Sequence, residues 1–402
     1  MAREAKSDES GHRGRRFPWL GRCLGLTGAA ALLVACGGGG ESNSSAPRPS
    51  GTLTVSSCTI AEGAASCPGS ISWTTVNAAS PRVLLGSATL ATTATGSSTT
   101  PIGAASQTVT LFDGTTQLDT KSLAGTCISA SAWDGNSCRA FAVRSVARAP
   151  TPFVESGQPV TLEVVIYAPP GTGPFPAVMF NHGSTGNGDD PSQFRITYTN
   201  EAVARFFADR GWLVAFPQRR GRGGSDGLYD EGFTPDRARY SCLAAPALAG
   251  FERALLDADA AATYLAGRAD VDSSRMLSAG TSRGGILAVV HAARRPDLFD
   301  GAVNFVGGWL GEGCQDAITV NRQTFVRGGA FRGATAWLYG DNDTFYSLAH
   351  SRANFDAFVA AGGQGSFRIY TRAPSLNGHF IVNDPSLWSD DLDTFVTSIG
   401  GG

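Results

Sequence analysis

Residues 277–285 read Leu-Ser-Ala-Gly-Thr-Ser-Arg-Gly-Gly and place Ser282 at the centre of a G-x-S-x-G spacing. A serine held on a sharp strand-to-helix turn needs an unfavourable backbone angle, and the flanking glycines leave room where neighbouring backbone closes in. A chain with 51 glycines produces this spacing easily, so the context decides. A largely apolar run precedes the motif at 275–279, and a glycine-free helical stretch follows at 286–293. This context favours a nucleophilic serine over an ordinary glycine-serine loop.

A serine hydroxyl needs an adjacent general base, and the base needs a group that orients it. The chain has five histidines. His379 stands in a turn beyond the last predicted strand, and it is the candidate base. Of the other four, His12 lies in the N-terminal segment, and we do not expect His182, at the end of a strand, or His291 and His350, on helices, to act as the base.

The acid is expected in the loop after the preceding strand, where Gly340-Asp341-Asn342-Asp343 offers two carboxylates. Asp343 is the candidate, and Asp341 is expected to cap or shape the turn. Asp343 would hold the imidazole in one tautomer and stabilise the imidazolium. The resulting chain order, Ser282, Asp343, His379, is the nucleophile-acid-histidine order of α/β-hydrolases.

The elements that must position these residues begin at about residue 139. Short apolar strands alternate with helical segments, which predicts a mostly parallel α/β sheet with helices on both faces. Active residues then collect at the carboxyl ends of the strands. We expect strands at 176–180, 212–216, 301–306, 335–339 and 367–370, and helices at 201–209, 248–265, 352–360 and 387–399.

Residues 51–130 follow a different pattern. They are rich in serine, threonine, alanine and glycine, with short alternating runs and no 3.6-residue period. This pattern predicts a small all-β sandwich that loosely resembles bacterial immunoglobulin-like modules, with Trp73 in its core. We expect a spacer or packing module, because no constellation of ligand-binding residues occurs there.

Residues 139–402 resemble an α/β-hydrolase of the dienelactone hydrolase and prolyl-oligopeptidase-like branch. Besides the Ser282 motif, the segments that carry the resemblance are Asn181-His182-Gly183, Arg220–Gly227, Gly340–Asp343 and Gly378-His379-Phe380. Dienelactone hydrolases proper use a cysteine nucleophile, and this chain has a serine. The resemblance therefore implies an esterase-like or peptidase-like activity instead of dienelactone hydrolysis.

An oxyanion hole should accompany the triad. One backbone N–H is expected from Arg283, directly after the nucleophile, and the second from Ser184 or Gly183. We expect 220–227 to form a loop that borders the site. The chemistry needs no cofactor, and the histidines and cysteines show no metal-ligand spacing.

The first 36 residues are predicted to be a targeting signal. Arginines precede a short apolar stretch that ends in Leu33-Val34-Ala35-Cys36, which resembles a bacterial lipobox. Cys36 would then be lipidated and would anchor the protein to a membrane of the cell envelope. Residues 37–50 would form a flexible linker. We expect the protein to be sorted to the outer membrane. A plain secretory signal and a twin-arginine signal at Arg15-Arg16 are the alternatives.

Six cysteines remain after Cys23 and Cys36, in a chain expected to be exported. This favours disulfides. Cys242–Cys314 is the expected later pair. Of the three pairings open to the first four cysteines, we prefer Cys58–Cys67 with Cys127–Cys138.

Charged residues make up 16% of the chain and the formal net charge is −2, so no basic surface for nucleic acid is expected. The sequence predicts a serine hydrolase that cleaves small carboxylic esters by an acyl-enzyme mechanism. The alternatives are a prolyl-oligopeptidase-like serine peptidase, which usually carries a propeller, and a non-catalytic surface binding protein.

Overall fold

Strands with apolar side chains at nearly every position form the centre of a large sheet. In the computed structural model, which describes residues 47–400, this sheet has eight strands in the order β12-β13-β15-β14-β16-β17-β18-β19. The strands β14 to β19 pair in parallel, while β12–β13 and β13–β15 pair antiparallel at one side. The predicted mostly parallel sheet is therefore confirmed. Its strands are β12 Val143–Glu155, β13 Gln158–Ala168, β14 Phe175–Asn181, β15 Leu213–Pro217, β16 Val271–Thr281, β17 Gly301–Phe305, β18 Ala334–Gly340 and β19 Gln364–Tyr370.

Helices cover both faces of this sheet. Phe305 of β17 and Leu338 of β18 are register partners, so Trp337 faces the opposite side from Phe305. Phe305 packs on Trp388 of α6 with ring centroids 5.2 Å apart, whereas Trp337 packs on Phe325 of α4 at 4.6 Å. The helices are α1 Glu201–Ala208, α2 Ala244–Ala266, α3 Arg283–Arg294, α4 Ala317–Gly328, α5 Leu348–Ala360 and α6 Pro385–Gly400.

The N-terminal part contains strands only. A three-stranded sheet, β1-β3-β6, and a four-stranded sheet, β5-β4-β7-β8, share one apolar cluster that includes Trp73. Along β3 buried and exposed residues alternate strictly, as expected for a strand with one covered face. The immunoglobulin-like character stays a prediction. The strands are β1 Ser50–Ser56, β2 Thr59–Ile60, β3 Cys67–Val76, β4 Pro81–Leu85, β5 Ala88–Ala91, β6 Thr95–Ile102, β7 Gln107–Asp113 and β8 Thr116–Leu123.

A short two-stranded hairpin follows between the two predicted regions. Strand β9 (Thr126–Cys127) pairs with β2, and β10 (Ser131–Trp133) pairs with β11 (Cys138–Ala140). The disulfides are Cys58–Cys67, Cys127–Cys138 and Cys242–Cys314, which confirms the preferred pairing. The second disulfide ties the hairpin to the β-rich part, beyond the predicted boundary at 130.

The predicted signal, the lipidation residue Cys36 and most of the linker lie outside the described residues. Among residues 47–400 no helix is both long and apolar enough to cross a bilayer.

Candidate active site

The turn between β16 and α3 holds Ser282 in a strained conformation. Its φ is 56° and its ψ −122°, a combination that L-residues rarely adopt. The glycines of the motif are sterically required here: a methyl group on Gly280 would collide with the carbonyl of Gly284, and one on Gly284 with the carbonyl of Asn181. The strand-turn-helix context predicted around Ser282 is therefore present.

Ser282 opens into a cleft at the carboxyl ends of the parallel strands. The cleft has a volume of about 970 Å³, and Gly183, Ser184, Arg283 and His379 also line it. A Cβ placed on Gly183 would lie 3.2 Å from the Cβ of Ser282, so the loop after β14 runs directly beside Ser282. The loops after β14, β16 and β19, which were predicted to carry the site, thus line one cavity.

His379 and Asp343 form a hydrogen-bonded pair. His379 lies on a 3₁₀ turn, Gly378–Asn383, beyond β19, and its Nδ1 is 2.9 Å from Oδ2 of Asp343. The Asp343 side chain is fully buried, and its Oδ1 accepts the backbone N–H groups of Phe345 and Tyr346. These contacts leave Nε2 of His379 as the ring nitrogen available for chemistry.

Asp341, the competing carboxylate, faces elsewhere. Its Oδ2 accepts the hydroxyl of Thr371 at 2.6 Å, and its backbone N–H donates to the carbonyl of Tyr370. These contacts join the loop after β18 to the end of β19.

Ser282 and His379 face the same cleft without a direct bond. Within residues 47–400, no hydrogen bond joins the Ser282 hydroxyl to the His379 ring. In enzymes without substrate this contact is often long and shortens when substrate binds. The ring of Phe345 lies beside the His379 ring, with centroids 4.5 Å apart and the two planes tilted by 43°.

The expected oxyanion donors are unoccupied by protein acceptors. In the described part of the chain, the backbone N–H groups of Gly183, Ser184 and Arg283 make no hydrogen bond. Arg283 is the first residue of α3, where such N–H groups are free by construction. These backbone N–H groups are therefore available as donors, and their role as an oxyanion hole stays a prediction.

The remaining described histidines are engaged elsewhere. Burial, aided by Arg219, holds the pKa of His182 well below its usual range. Its Nε2 lies 3.3 Å from the backbone nitrogen of Arg219, and its Nδ1 lies 2.8 Å from the Gly183 carbonyl oxygen and 3.0 Å from Nη2 of Arg219. His291 bonds Asp259, and His350 bonds Asn321. His12 lies outside the described residues.

Residues 220–227 do not border the cleft, contrary to expectation. None of them lines the cavity of the described chain. Arg220 turns away to Asp257 and Glu155, and Gly221 packs against the backbone of Tyr229. Two carboxylates thus hold Arg220 inside the protein, whereas Nε and Nη1 of the buried Arg222 have no hydrogen-bond partner among the described residues.

Sequence reasoning missed the aromatic walls of the cleft. Tyr240, Trp309 and Tyr346 line it, and the Cys242–Cys314 disulfide joins the two segments that carry Tyr240 and Trp309. The cysteines were the available signal, since each lies within five residues of one of these rings.

Among residues 47–400 there is no cluster of three or more potential metal ligands.

Comparison with known proteins gives one family match. Residues 156–333, fewer than half of the chain, match the model of the X-Pro dipeptidyl-peptidase family S15. The matched range contains Ser282 and ends before Asp343. No curated protein matches significantly.

Several solved structures are similar at low identity. The esterase Pf2001 of Pyrococcus furiosus is 14% identical with a TM-score of 0.44, covering 64% of this chain and 90% of its own. A putative dienelactone hydrolase from Klebsiella pneumoniae is 18% identical with a TM-score of 0.42, covering 64% and 98%. An S-formylglutathione hydrolase from Agrobacterium tumefaciens is 16% identical with a TM-score of 0.43, covering 64% and 95%. Around its nucleophile turn, the chain is thus similar to X-Pro dipeptidyl-peptidases of the S15 family.

Proposed function

We propose that the chain is a serine hydrolase that cleaves carboxylic esters through Ser282, His379 and Asp343. The observation that carries the proposal is the strained Ser282 turn, which faces the same cleft as the His379–Asp343 pair. A positive φ at a non-glycine residue is costly, and such strain concentrates at functional sites.

In the proposed reaction, the Ser282 oxygen attacks the ester carbonyl while His379 Nε2 takes the hydroxyl proton. Asp343 stabilises the imidazolium through the Nδ1 hydrogen bond. The N–H groups of Arg283 and of Ser184 or Gly183 hold the oxyanion. His379 then protonates the leaving alcohol, and it activates the water that hydrolyses the acyl-enzyme.

Ser282→Ala tests the proposal. With p-nitrophenyl acetate, kcat should fall by roughly 10⁴- to 10⁶-fold, because the attacking oxygen is gone. Ser278→Ala is a matched control in the same strand, since the Ser278 hydroxyl is buried without a hydrogen bond. Unchanged turnover in purified Ser282→Ala protein would refute the proposal. Failure of a fluorophosphonate to label Ser282 in the native protein would favour the non-catalytic binding protein.

Peptidase activity is the second candidate, because the matched family consists of X-Pro dipeptidyl-peptidases. Such an enzyme must bind a free α-ammonium group, and among the described residues the carboxylates that line the cleft are Asp189 and Glu312. Glu312 already accepts the N–H and hydroxyl of Ser347, which leaves the exposed Asp189. Turnover of Ala-Pro-p-nitroanilide above that of p-nitrophenyl acetate, lost in Asp189→Asn, would establish this alternative.

We also propose that the protein is a bacterial lipoprotein, anchored to the cell envelope through Cys36, with the outer membrane as its destination. The support is the lipobox-like sequence 33–36. Incorporation of labelled palmitate in a bacterial host should be lost in Cys36→Ala. Labelling that persists in this variant would contradict the anchor.

A further inference from the structure

A cluster of buried charges lies behind the candidate oxyanion donors. Arg219, Arg222 and Arg283 are each at most 4% exposed, and within residues 47–400 the one carboxylate that bonds any of them is Glu231. One carboxylate oxygen of Glu231 accepts a hydrogen bond from Nε of Arg219. The other accepts one from Nη1 of Arg283, at 3.3 Å. Burying such charges is costly unless they are paired, so a cluster at this place calls for a function.

Arg219 fixes the loop after β14 through two consecutive carbonyls. Its Nη1 donates to the carbonyl of His182 at 3.0 Å, and its Nη2 donates to that of Gly183 at 3.3 Å. A trans peptide is planar, with its N–H opposite its C=O. Holding these two carbonyls toward Arg219 therefore turns the N–H groups of Gly183 and Ser184 away from it.

Arg283 fixes the other donor. Its Nε donates to the carbonyl of Trp309 at 3.0 Å, and Nη1 also reaches the carbonyl of Glu231 at 3.0 Å. The guanidinium lies 3.8 Å from the ring centroid of Tyr240. Because the side chain is immobilised, the first residue of α3 and its backbone N–H are held in place.

We propose that Glu231 is a positioning residue that sets the geometry of the oxyanion hole by linking Arg219 to Arg283. This inference rests on the proposed function. Glu231 does not line the cleft of the described chain, so it acts through the two arginines and not on substrate. Although burial opposes ionisation, Arg219 and Arg283 hold its pKa below the usual value, which keeps the link charged at neutral pH.

The test is Glu231→Gln, which keeps the shape and removes the charge. With p-nitrophenyl acetate we expect kcat to fall about 10- to 100-fold, with KM within about twofold, because donors are misplaced in the transition state. The Ki of phenylboronic acid, which forms a tetrahedral adduct with the serine, should rise in parallel with the fall in kcat. A role in folding alone would not move this Ki.

Asp257→Asn is the matched control. Asp257 also pairs with a buried arginine, Arg220, but that pair has no contact with the oxyanion loop. The Asp257→Asn variant should keep the wild-type kcat. If Glu231→Gln does not fold, as judged by circular dichroism, Arg219→Lys replaces it, because lysine keeps the charge but cannot hold two carbonyls and Glu231 together.

Wild-type kcat and Ki in a folded Glu231→Gln enzyme would overturn the inference, as would an equal loss of kcat in Asp257→Asn. Ser282→Ala, assayed in parallel, separates this outcome from failure of the proposed function. An inactive Ser282→Ala variant beside a fully active Glu231→Gln variant removes only the positioning role.

Discussion

The two parts of the described chain bury different kinds of side chain. In residues 50–140 the buried polar groups are uncharged, and the core consists of two small apolar clusters. In residues 143–400 the strands β14, β15, β17 and β18 are buried at nearly every position, and every buried charged side chain of the described residues lies in this part. The difference teaches that a site built on buried ions depends on a core large enough to fix their partners around them.

In the comparison of the two parts, the largest loss of activity is expected in the part that contains the large sheet. Asp343→Asn should lower kcat for p-nitrophenyl acetate by roughly 10⁴-fold, because the amide favours the wrong tautomer of His379. Asp341→Asn, whose carboxylate only accepts the Thr371 hydroxyl, should stay within a few-fold of wild type. Equal losses in the two variants would contradict the assignment of the acid.

Disulfides sharpen the comparison between the two parts. Cys242–Cys314 closes 72 residues and Cys127–Cys138 closes 11, so removing the first should cost about 4 kcal/mol and the second about 3 kcal/mol of stability. Only the first joins walls of the cleft. Alanine pairs at each site, compared by thermal unfolding and steady-state kinetics, should show a raised KM for the Cys242/Cys314 variant alone. A raised KM in the other variant would show that the β-rich part shapes the cleft.

The smallest effect concerns pH. Burial, only partly offset by Arg220, raises the pKa of Asp257 to about 6. The folded protein then binds this proton more tightly than the unfolded chain, so the group favours folding as pH falls. Between pH 7.5 and 5.0 it should add about 1 kcal/mol of stability.

Thermal unfolding of Asp257→Asn at the two pH values should lack this increment. The same increment in both proteins would mean that another group titrates. No such effect is expected from the β-rich part, where no carboxylate is buried.

Much of this fold could be predicted because its signals are local. The apolar run 176–180 could only be a covered strand, and the glycines around Ser282 have no use outside a tight turn. Cys242–Cys314 was expected because these are the two later cysteines, while Cys58–Cys67 with Cys127–Cys138 was a preference among three possible pairings. The sequence analysis did not predict the hairpin at 131–140, because its strands are only three residues long.

The support behind the site could not be predicted in the same way. Arginines and a glutamate in a glycine-rich loop are usually solvated, and only the three-dimensional contacts of Arg219 and Glu231 show that they are buried. The aromatic walls were hidden for a similar reason. Tyr240 and Trp309 are far apart in sequence, and no periodic pattern connects them.

Neighbouring arginines in one loop serve two separate carboxylates. Arg219 binds Glu231 and Arg220 binds Asp257, on opposite sides of the backbone. Deleting a single residue just before them would bring Arg220 to the place of Arg219 and Gly221 to the place of Arg220, so that Asp257 would lose its arginine. Directed-evolution libraries for this protein should therefore keep the length of 218–222 fixed and vary the rim of the cleft at Thr234, Pro235 and Arg239 instead.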